Sequence, residues 1–287
     1  MQNQSQQNSS YPPFSVLMSV YAREQAAFMW QALESVFSQS VVPDEVVLVE
    51  DGPLTAELDD VVARAIERWP QLKVVALAKN QGLGRALNVG LKYCTHPLVA
   101  RMDTDDVARP NRFEQQLKAF STHPELSVCG GWISEFDTIP TQPHSYRRPP
   151  ESHEAIWRFG QKRNPVNHVT AMFRKDDVVA SGGYQDFPLF EDYYLWVRMI
   201  MRGYTFVNLP EVLVDVRADR SMMGRRGGWN YALVETRLQF LFHRMHYISC
   251  ATMWRNILVR FTARMMPLSL RRWLYKKKLR HEAGAAN

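Results

Sequence analysis

Apolar and polar positions fall into alternating blocks over the first hundred residues. Phe14–Val20 is an apolar run of the kind expected for a strand buried on both faces of a sheet. Glu24–Gln39 follows with Phe28, Leu33, Val36 and Phe37 near helical spacing, and Glu45–Glu50 (EVVLVE) is a second strand. Thr55–Trp69 reads as a helix closed by Pro70, Lys73–Ala78 as a third strand, Leu83–Tyr93 as a helix and Pro97–Met102 as a fourth strand. Strands alternating with helices of this length predict an α/β fold, a mostly parallel sheet flanked by helices.

The order then breaks. The pattern predicts a helix over Pro110–Phe120 with Pro110 in its first turn, and a strand over Leu126–Ile133. A Pro- and Thr-rich loop over Thr138–Pro150, a short helix over Glu151–Phe159 and a strand over Val169–Phe173 come next. Glu191–Met201 is a strongly apolar helix, followed by strands near Tyr204–Leu209 and Glu211–Val216 and a helix over Gly227–His246. Met253–Met266 is amphipathic, with Trp254, Ile257, Leu258, Phe261 and Met265 on one face, and Pro267 breaks it. A basic segment, Ser269–Arg280, ends the pattern.

Composition adds a core but no framework. With 46% hydrophobic and 22% charged residues among 287, the chain buries a proper core, which excludes global disorder. Cys94, Cys129 and Cys250 are too few and too scattered for a disulfide framework or a zinc cage, and a reducing compartment is the simple reading.

Charge changes the picture more. The net charge is +6, which by itself invites nucleic acid or an anionic membrane. Ten of the 35 basic residues but one of the 29 acidic residues lie beyond residue 243, so the first 243 residues carry 25 basic and 28 acidic side chains, a net of −3. The excess is therefore C-terminal. Residues 1–12 read as a disordered polar lead without the apolar region of a signal peptide, and no uncharged apolar run approaches the roughly 20 residues that span a bilayer. The expected organisation is residues 13–246 as one α/β domain and 247–287 as a basic amphipathic tail. That tail suits the anionic surface of a membrane, with Trp254 and Trp273 at headgroup level, and gives no reason to expect nucleic acid.

Candidate chemistry begins where the fourth strand ends. Asp103, Asp105 and Asp106 follow Met102 directly, and in a parallel α/β sheet ligands bind beyond the carboxyl ends of strands. Asp103 and Asp105 alternate to one side and converge, a hard-oxygen set suited to Mg²⁺ or Mn²⁺; the plainer alternative is an Asp-rich turn before a helix. Asp51, at the end of the second strand, is either an acceptor for a base N–H or an ordinary Asp-Gly turn. Asn80–Gly84 is a glycine-containing turn before a helix that carries Arg85 and Asn88, a place for phosphate at a helix N-terminus. Glu191 and Asp192 open the apolar helix; the dipole there favours acids for stability and equally keeps a general base ionised.

Taken together and in order, Phe14-Ser-Val-Leu-Met-Ser-Val-Tyr21, Val49-Glu-Asp-Gly52, Asn80–Gly90, Met102-Asp-Thr-Asp-Asp106 and Phe190–Arg198 resemble the family-two glycosyltransferases of the GT-A fold. The likeness runs over roughly residues 14–226 and is greatest to bacterial O-antigen and exopolysaccharide (amylovoran-type) enzymes. It implies that Ser19 and Tyr21 line the nucleotide pocket, that Asp51 accepts from the base, and that Asp103 approaches ribose or metal. It further implies Asp105 as the metal ligand, Asp192 as catalytic base with Glu191 beside it, and Arg225 and Arg226 closing over the diphosphate. The helix has Ala86-Leu87-Asn88 where many members have Ala-Arg-Asn, which leaves Arg85 as the substitute cation. The Gln-x-x-Arg-Trp motif of processive synthases is absent, so single addition is expected.

The resemblance implies an inverting transfer from a UDP-sugar (glucose, galactose or an N-acetyl form) to a saccharide acceptor linked to polyprenyl diphosphate, at the cytoplasmic face of the inner membrane. Trp132, after Gly130-Gly131, reads either as a sugar platform or as core, and His168 either as an acceptor or diphosphate contact or as structural. Two other classes compete. A sugar nucleotidyltransferase calls for a Gly-rich basic signature after the first strand, and Tyr21-Ala-Arg-Glu24 is not one. A nucleic-acid binder calls for a basic surface over the domain, which the first 243 residues do not carry.

Overall fold

A computed structural model describes residues 11–218, 228–265 and 281–282. Strands β1 (Phe14–Val20), β2 (Glu45–Glu50), β3 (Leu72–Ala76) and β4 (Leu98–Asp103) alternate with helices α1 (Ala26–Phe37), α2 (Ala56–Arg68) and α3 (Leu83–Tyr93). β1 lies between β2 and β4 and runs parallel to both, with Val16 beside Val46 and Ala100. Apolar residues on both faces of these strands feed two cores. Val16, Met18, Val46 and Leu48 pack with the apolar side chains of α1 and α2. Leu17, Val47, Val49 and Val99 pack with Ala86, Leu87 and Leu91 of α3. Gly90 brings α3 down onto the sheet: a Cβ there would lie 2.4 Å from Leu17 Cδ1 and 2.6 Å from Val49 Cγ2.

The second half holds β5 (Val107–Ala108), α4 (Arg112–Thr122), β6 (Leu126–Phe136), β7 (Ser145–Arg147), α5 (His153–Gly160), β8 (Met172–Arg174) and α6 (Lys175–Ala180). α7 (Glu191–Met201), β9 (Thr205–Arg217), α8 (Trp229–Arg244), α9 (Cys250–Met265) and β10 (His281–Glu282) complete the order. The sheet runs β3-β2-β1-β4-β8-β6-β7-β10, with β9 beside β6 and carrying β5. β8 is antiparallel to both β4 and β6, while β9 is parallel to β6, so the mostly parallel core meets a mixed second half.

The structure departs from the pattern in several places. α4 begins at Arg112 behind Asn111, and Pro110 stands outside it. The predicted loop over 138–150 contains β7, which pairs through its backbone with Ile133–Glu135 and needs little side-chain patterning. The two strands expected at 204–216 are one, β9. Leu209 pairs with Gly131 and Val212 with Trp132, so a register shift absorbs Pro210, which has no N–H to donate. The strand expected at 169–173 starts as a 3-10 turn, His168–Thr170, and the pattern missed α6, a single acid-led turn and a half.

The boundary expected after residue 246 falls between two helices that pack on one another. Met253 and Asn256 of α9 are buried, and Arg260 and Arg264 both pair with Glu235 of α8, which is 2% exposed. Burial, the largest influence on Glu235, raises its pKa, but the two guanidiniums outweigh it and hold the carboxyl below its ordinary value. Removing one side of such a buried pair costs about 3–5 kcal/mol. Residues 250–265 thus belong to the folded unit. The polar lead up to residue 10 and the basic segment Ser269–Arg280 lie outside the described residues. No helix among the described residues is long and apolar enough to cross a membrane.

Candidate active site

The parallel pairing of β1 with β4 sets Ser19 beside Asp103 at the carboxyl ends of both strands. The chain then turns, and Asp103, Asp105 and Asp106 bring carboxylate oxygens within 4.8 Å of one another. Burial first, then repulsion from neighbouring acids, pushes Asp105 up to about 7 and Asp106 well above the usual carboxylate range. Three crowded, partly desolvated carboxylates are a donor set that a hard divalent cation would relieve, and all three are oxygen ligands. The residues therefore fit such an ion.

Two arginines brace this cluster. Arg101, 2% exposed on β4, pairs with Asp103, while its Nε and Nη1 are buried with no hydrogen-bond partner among the described residues. Arg217, the last residue of β9, donates its backbone N–H to Asp106 Oδ1 at 2.8 Å and its Nε to the Asp105 carbonyl at 3.1 Å. Its guanidinium stacks on Phe28 and Phe136. Glu24 joins through Thr104, whose hydroxyl reaches Glu24 Oε2 and the Ser19 carbonyl. Sequence reasoning missed all three. Arg101 had a signal, a charge inside an otherwise apolar strand.

The second pair of acids opens α7. Leu189, two residues before, sits at φ +73°, a region bulky residues rarely adopt, and this turn aims Glu191 and Asp192. Asn164 donates its Nδ2 to Asp192 Oδ2 at 2.6 Å, and the Tyr193 amide donates to Oδ1 at 2.7 Å. Burial outweighs these bonds and raises the Asp192 pKa; burial and the Asp192 charge push Glu191 up to about 7. Sequence reasoning singles out His168 in this loop and misses Asn164, four residues before it.

Asp103, Asp105, Asp106, Asn164, His168 and Asp192 line one cavity of about 630 Å³. His168 lies 2.9 Å from the Tyr184 hydroxyl, and burial, then Arg101, hold its imidazole well below its ordinary pKa and hence neutral. Trp132 is not among the lining residues. Its indole N–H reaches the Pro149 carbonyl, and Gly130 and Gly131 make room for Asn208 and Leu213 of β9, the close approach that the two glycines allow.

The nucleotide-side candidates form a second group, outside that cavity. Tyr21, just past β1, is 44% exposed. Asp51 accepts from the backbone amides of Gln81 and Gly82 at 2.6 and 3.0 Å, tying β2 to the loop before α3. Arg85 pairs with Asp186, and Asn88 bonds both the N–H and the carbonyl of Tyr184. Arg225 and Arg226 lie outside the described residues.

Residues 15–181 match the family described as Glycosyl transferase family 2. The chain belongs to that family. Over 94% of this chain and 97% of the relative's, it is 38% identical to the UDP-Gal:alpha-D-GlcNAc-diphosphoundecaprenol beta-1,3-galactosyltransferase of Escherichia coli. It is 41% identical to the amylovoran biosynthesis glycosyltransferase AmsE of Erwinia amylovora over 92% and 98% of the two chains. In fold it is similar to the mannosyltransferase PcManGT of Pyrobaculum calidifontis, solved with GDP-Man and Mn²⁺, at TM-score 0.62 and 16% identity over 94% and 82% of the chains. A family 2 glycosyltransferase on a GT-A fold is thus what the motifs expected, and the nucleotidyltransferase and nucleic-acid alternatives are not favoured.

Proposed function

We propose that this glycosyltransferase adds one sugar, from a UDP-sugar, to a hydroxyl of a lipid-diphosphate-linked saccharide in bacterial surface polysaccharide assembly, with inversion. The observation that carries this reading is Asp192, held at both oxygens and sharing one cavity with Asp103, Asp105 and Asp106. The name of the first bacterial relative supports both the acceptor class and UDP as the carrier, and the name of the second supports polysaccharide biosynthesis.

Asp192 accepts the proton of the acceptor hydroxyl as that oxygen attacks from the face opposite the leaving group. A single displacement inverts the anomeric centre, so an α-linked donor gives a β-linkage. Asn164 fixes the orientation of the base, and Glu191 stands beside it to orient the acceptor or the base. Asp105 and Asp103 would hold Mg²⁺ or Mn²⁺, with Asp106 behind them. When bound, such an ion supplies Lewis-acid neutralisation of the leaving diphosphate.

Ser19, Tyr21 and Asp51 are assigned to the nucleoside side, Tyr21 as the stacking surface. Arg85 and Asn88, through Asp186 and Tyr184, act better as positioning residues for the turn before α7 than as nucleotide contacts. Arg225 and Arg226 are kept as diphosphate cations. The tail beyond residue 247 is assigned to an anionic membrane, in support of which Trp254 and Leu258 are 57% and 70% exposed. UDP release from a panel of UDP-sugars with and without Mn²⁺ tests the reading; no metal-stimulated release in any of them would contradict it.

A further inference from the structure

The cavity holding Asp192 has a basic wall that the transfer chemistry leaves unused. Lys162, Arg163 and Arg255 all line it. Lys162 and Arg163 sit in the loop after α5, and α9 clamps that loop. Asn256, 5% exposed, donates to the Gln161 carbonyl at 2.8 Å and to Gln239 Oε1 of α8 at 2.9 Å. Arg260 donates to the Lys162 carbonyl and pairs with Glu235, so two consecutive carbonyls of the loop are fixed to one helix. Glu235, the acid that α8 contributes to the lining, is taken up by Arg260 and Arg264. Asn164, which orients Asp192, follows Arg163 in the same loop.

Lys162, Arg163 and the Asn164 that orients the base are thus parts of one braced segment, 161–164, and Arg255 stands on the helix that braces it. Lys162 and Asn164 are two residues apart, at most about 7 Å between Cα atoms. That spacing suits an anion carried one sugar ring away from the attacking hydroxyl. The carboxylate cluster is braced separately, by Arg101 and Arg217. On α9 the neighbours of the cavity-lining Arg255 and Val259 are Trp254 and Leu258, both strongly exposed. A chain attached to an anion at this wall therefore emerges over an apolar surface.

We propose that Lys162, Arg163 and Arg255 form the subsite for the diphosphate of the acceptor, whose lipid leaves past Trp254 and Leu258. This rests on the proposed reading of Asp192 as base toward a lipid-diphosphate-linked sugar. A diphosphate diester carries two negative charges and several acceptor oxygens, and three charge-assisted donors match it. The subsite makes the enzyme select a short acceptor, one sugar on a diphosphate, over a neutral glycoside of the same sugar.

Two measurements test this. Decyl diphosphate serves as a non-reactive probe in calorimetry, with the full-length protein and its Lys162→Ala, Arg255→Ala and combined Lys162→Ala/Arg163→Ala/Arg255→Ala variants. The triple variant should bind about 100-fold more weakly or worse, each single one about tenfold, with the thermal midpoint retained. Lys162 and Arg255 are exposed, so the single variants keep the test open if the triple one misfolds. In transfer assays, the preference of wild type for the sugar-diphosphate-decyl acceptor over the matching decyl glycoside should collapse in the same variants. Equal probe binding by wild type and variants, or no binding by wild type, overturns the subsite. Transfer with an unaltered diphosphate preference overturns it while leaving the proposed activity standing. Probe binding that responds to the variants without any sugar transfer supports the subsite and contradicts the proposed activity instead.

Discussion

Asn164 and Asp192, 28 residues apart in the chain, meet through a 2.6 Å hydrogen bond in which the amide donates to the carboxylate. With the Tyr193 amide on the other oxygen, the bond fixes the orientation of the Asp192 carboxylate and favours its ionised form in a buried setting. Asp192→Asn should lower turnover by about 10²–10⁴-fold, the range for losing a general base. Asn164→Ala should cost less, about tenfold, because the base remains and only its orientation loosens. Initial rates of UDP release with acceptor present, with donor KM measured alongside, check both; an Asp192→Asn enzyme within threefold of wild type removes Asp192 from the role.

The acids at the start of α7 set a pH dependence. Glu191 sits at about 7, and burial raises Asp192 as well. Transfer requires the ionised base, so activity should rise as pH increases through neutrality, with an acid limb that belongs to the pair rather than to one residue. Glu191→Gln removes a negative charge next to Asp192 and should move that limb to lower pH. A wild-type limb near pH 4, in the ordinary carboxylate range, would run against this account.

The carboxylate cluster makes the metal-free protein sensitive to pH in the opposite sense. Asp105 rises from an ordinary 3.8 to about 7 on folding, so the folded chain binds the proton more tightly. That stabilising contribution is complete below about pH 3.8 and is lost as pH rises to about 7. Added Mn²⁺ should therefore raise the thermal midpoint at pH 8, and Asp105→Asn should abolish that shift while raising the midpoint of the metal-free protein. Scanning fluorimetry with and without Mn²⁺ checks this. Chelation should also cut turnover by about 10²–10³-fold, as for loss of one electrostatic stabiliser.

Much of this site was readable from the chain because its parts sit at strand and helix ends that the hydrophobic pattern locates. Asp103 ends β4 and Asp105 follows it, Glu191 and Asp192 begin α7, and both boundaries fall within a residue of the expected ones. What the pattern did not carry was long-range pairing. Asn164 reaches Asp192 from a loop, Arg217 reaches Asp105 and Asp106 from a strand more than a hundred residues on, and neither partner has a local periodicity. The glycines before Trp132 carried a real signal of close approach, but the approaching group is β9. The boundary expected after residue 246 meets the same kind of pairing. Trp254 and Leu258 of the apolar face of α9 are exposed as its pattern suggests, while Arg260 and Arg264, outside that face, pair with a glutamate buried on α8.

The basic tail should hold the enzyme on anionic vesicles. Replacing Lys276, Lys277 and Lys278 by Glu removes three cations, each contributing about 1 kcal/mol near such a surface, and adds repulsion. Sedimentation with vesicles rich in anionic lipid should drop by about 100-fold or more in partition coefficient, while UDP release with a soluble acceptor stays intact. Unchanged sedimentation would assign membrane attachment elsewhere.

The anomeric configuration of the product tests the central claim most directly. With an α-linked UDP-sugar that the enzyme accepts and a sugar-diphosphate-decyl acceptor, the new linkage can be read from its proton coupling by nuclear magnetic resonance. A single displacement assisted by Asp192 predicts a β-linkage, and no product above about 1% of the wild-type amount from the Asp192→Asn enzyme. An α-linked product, or β-linked product formed at the wild-type rate without Asp192, would contradict it.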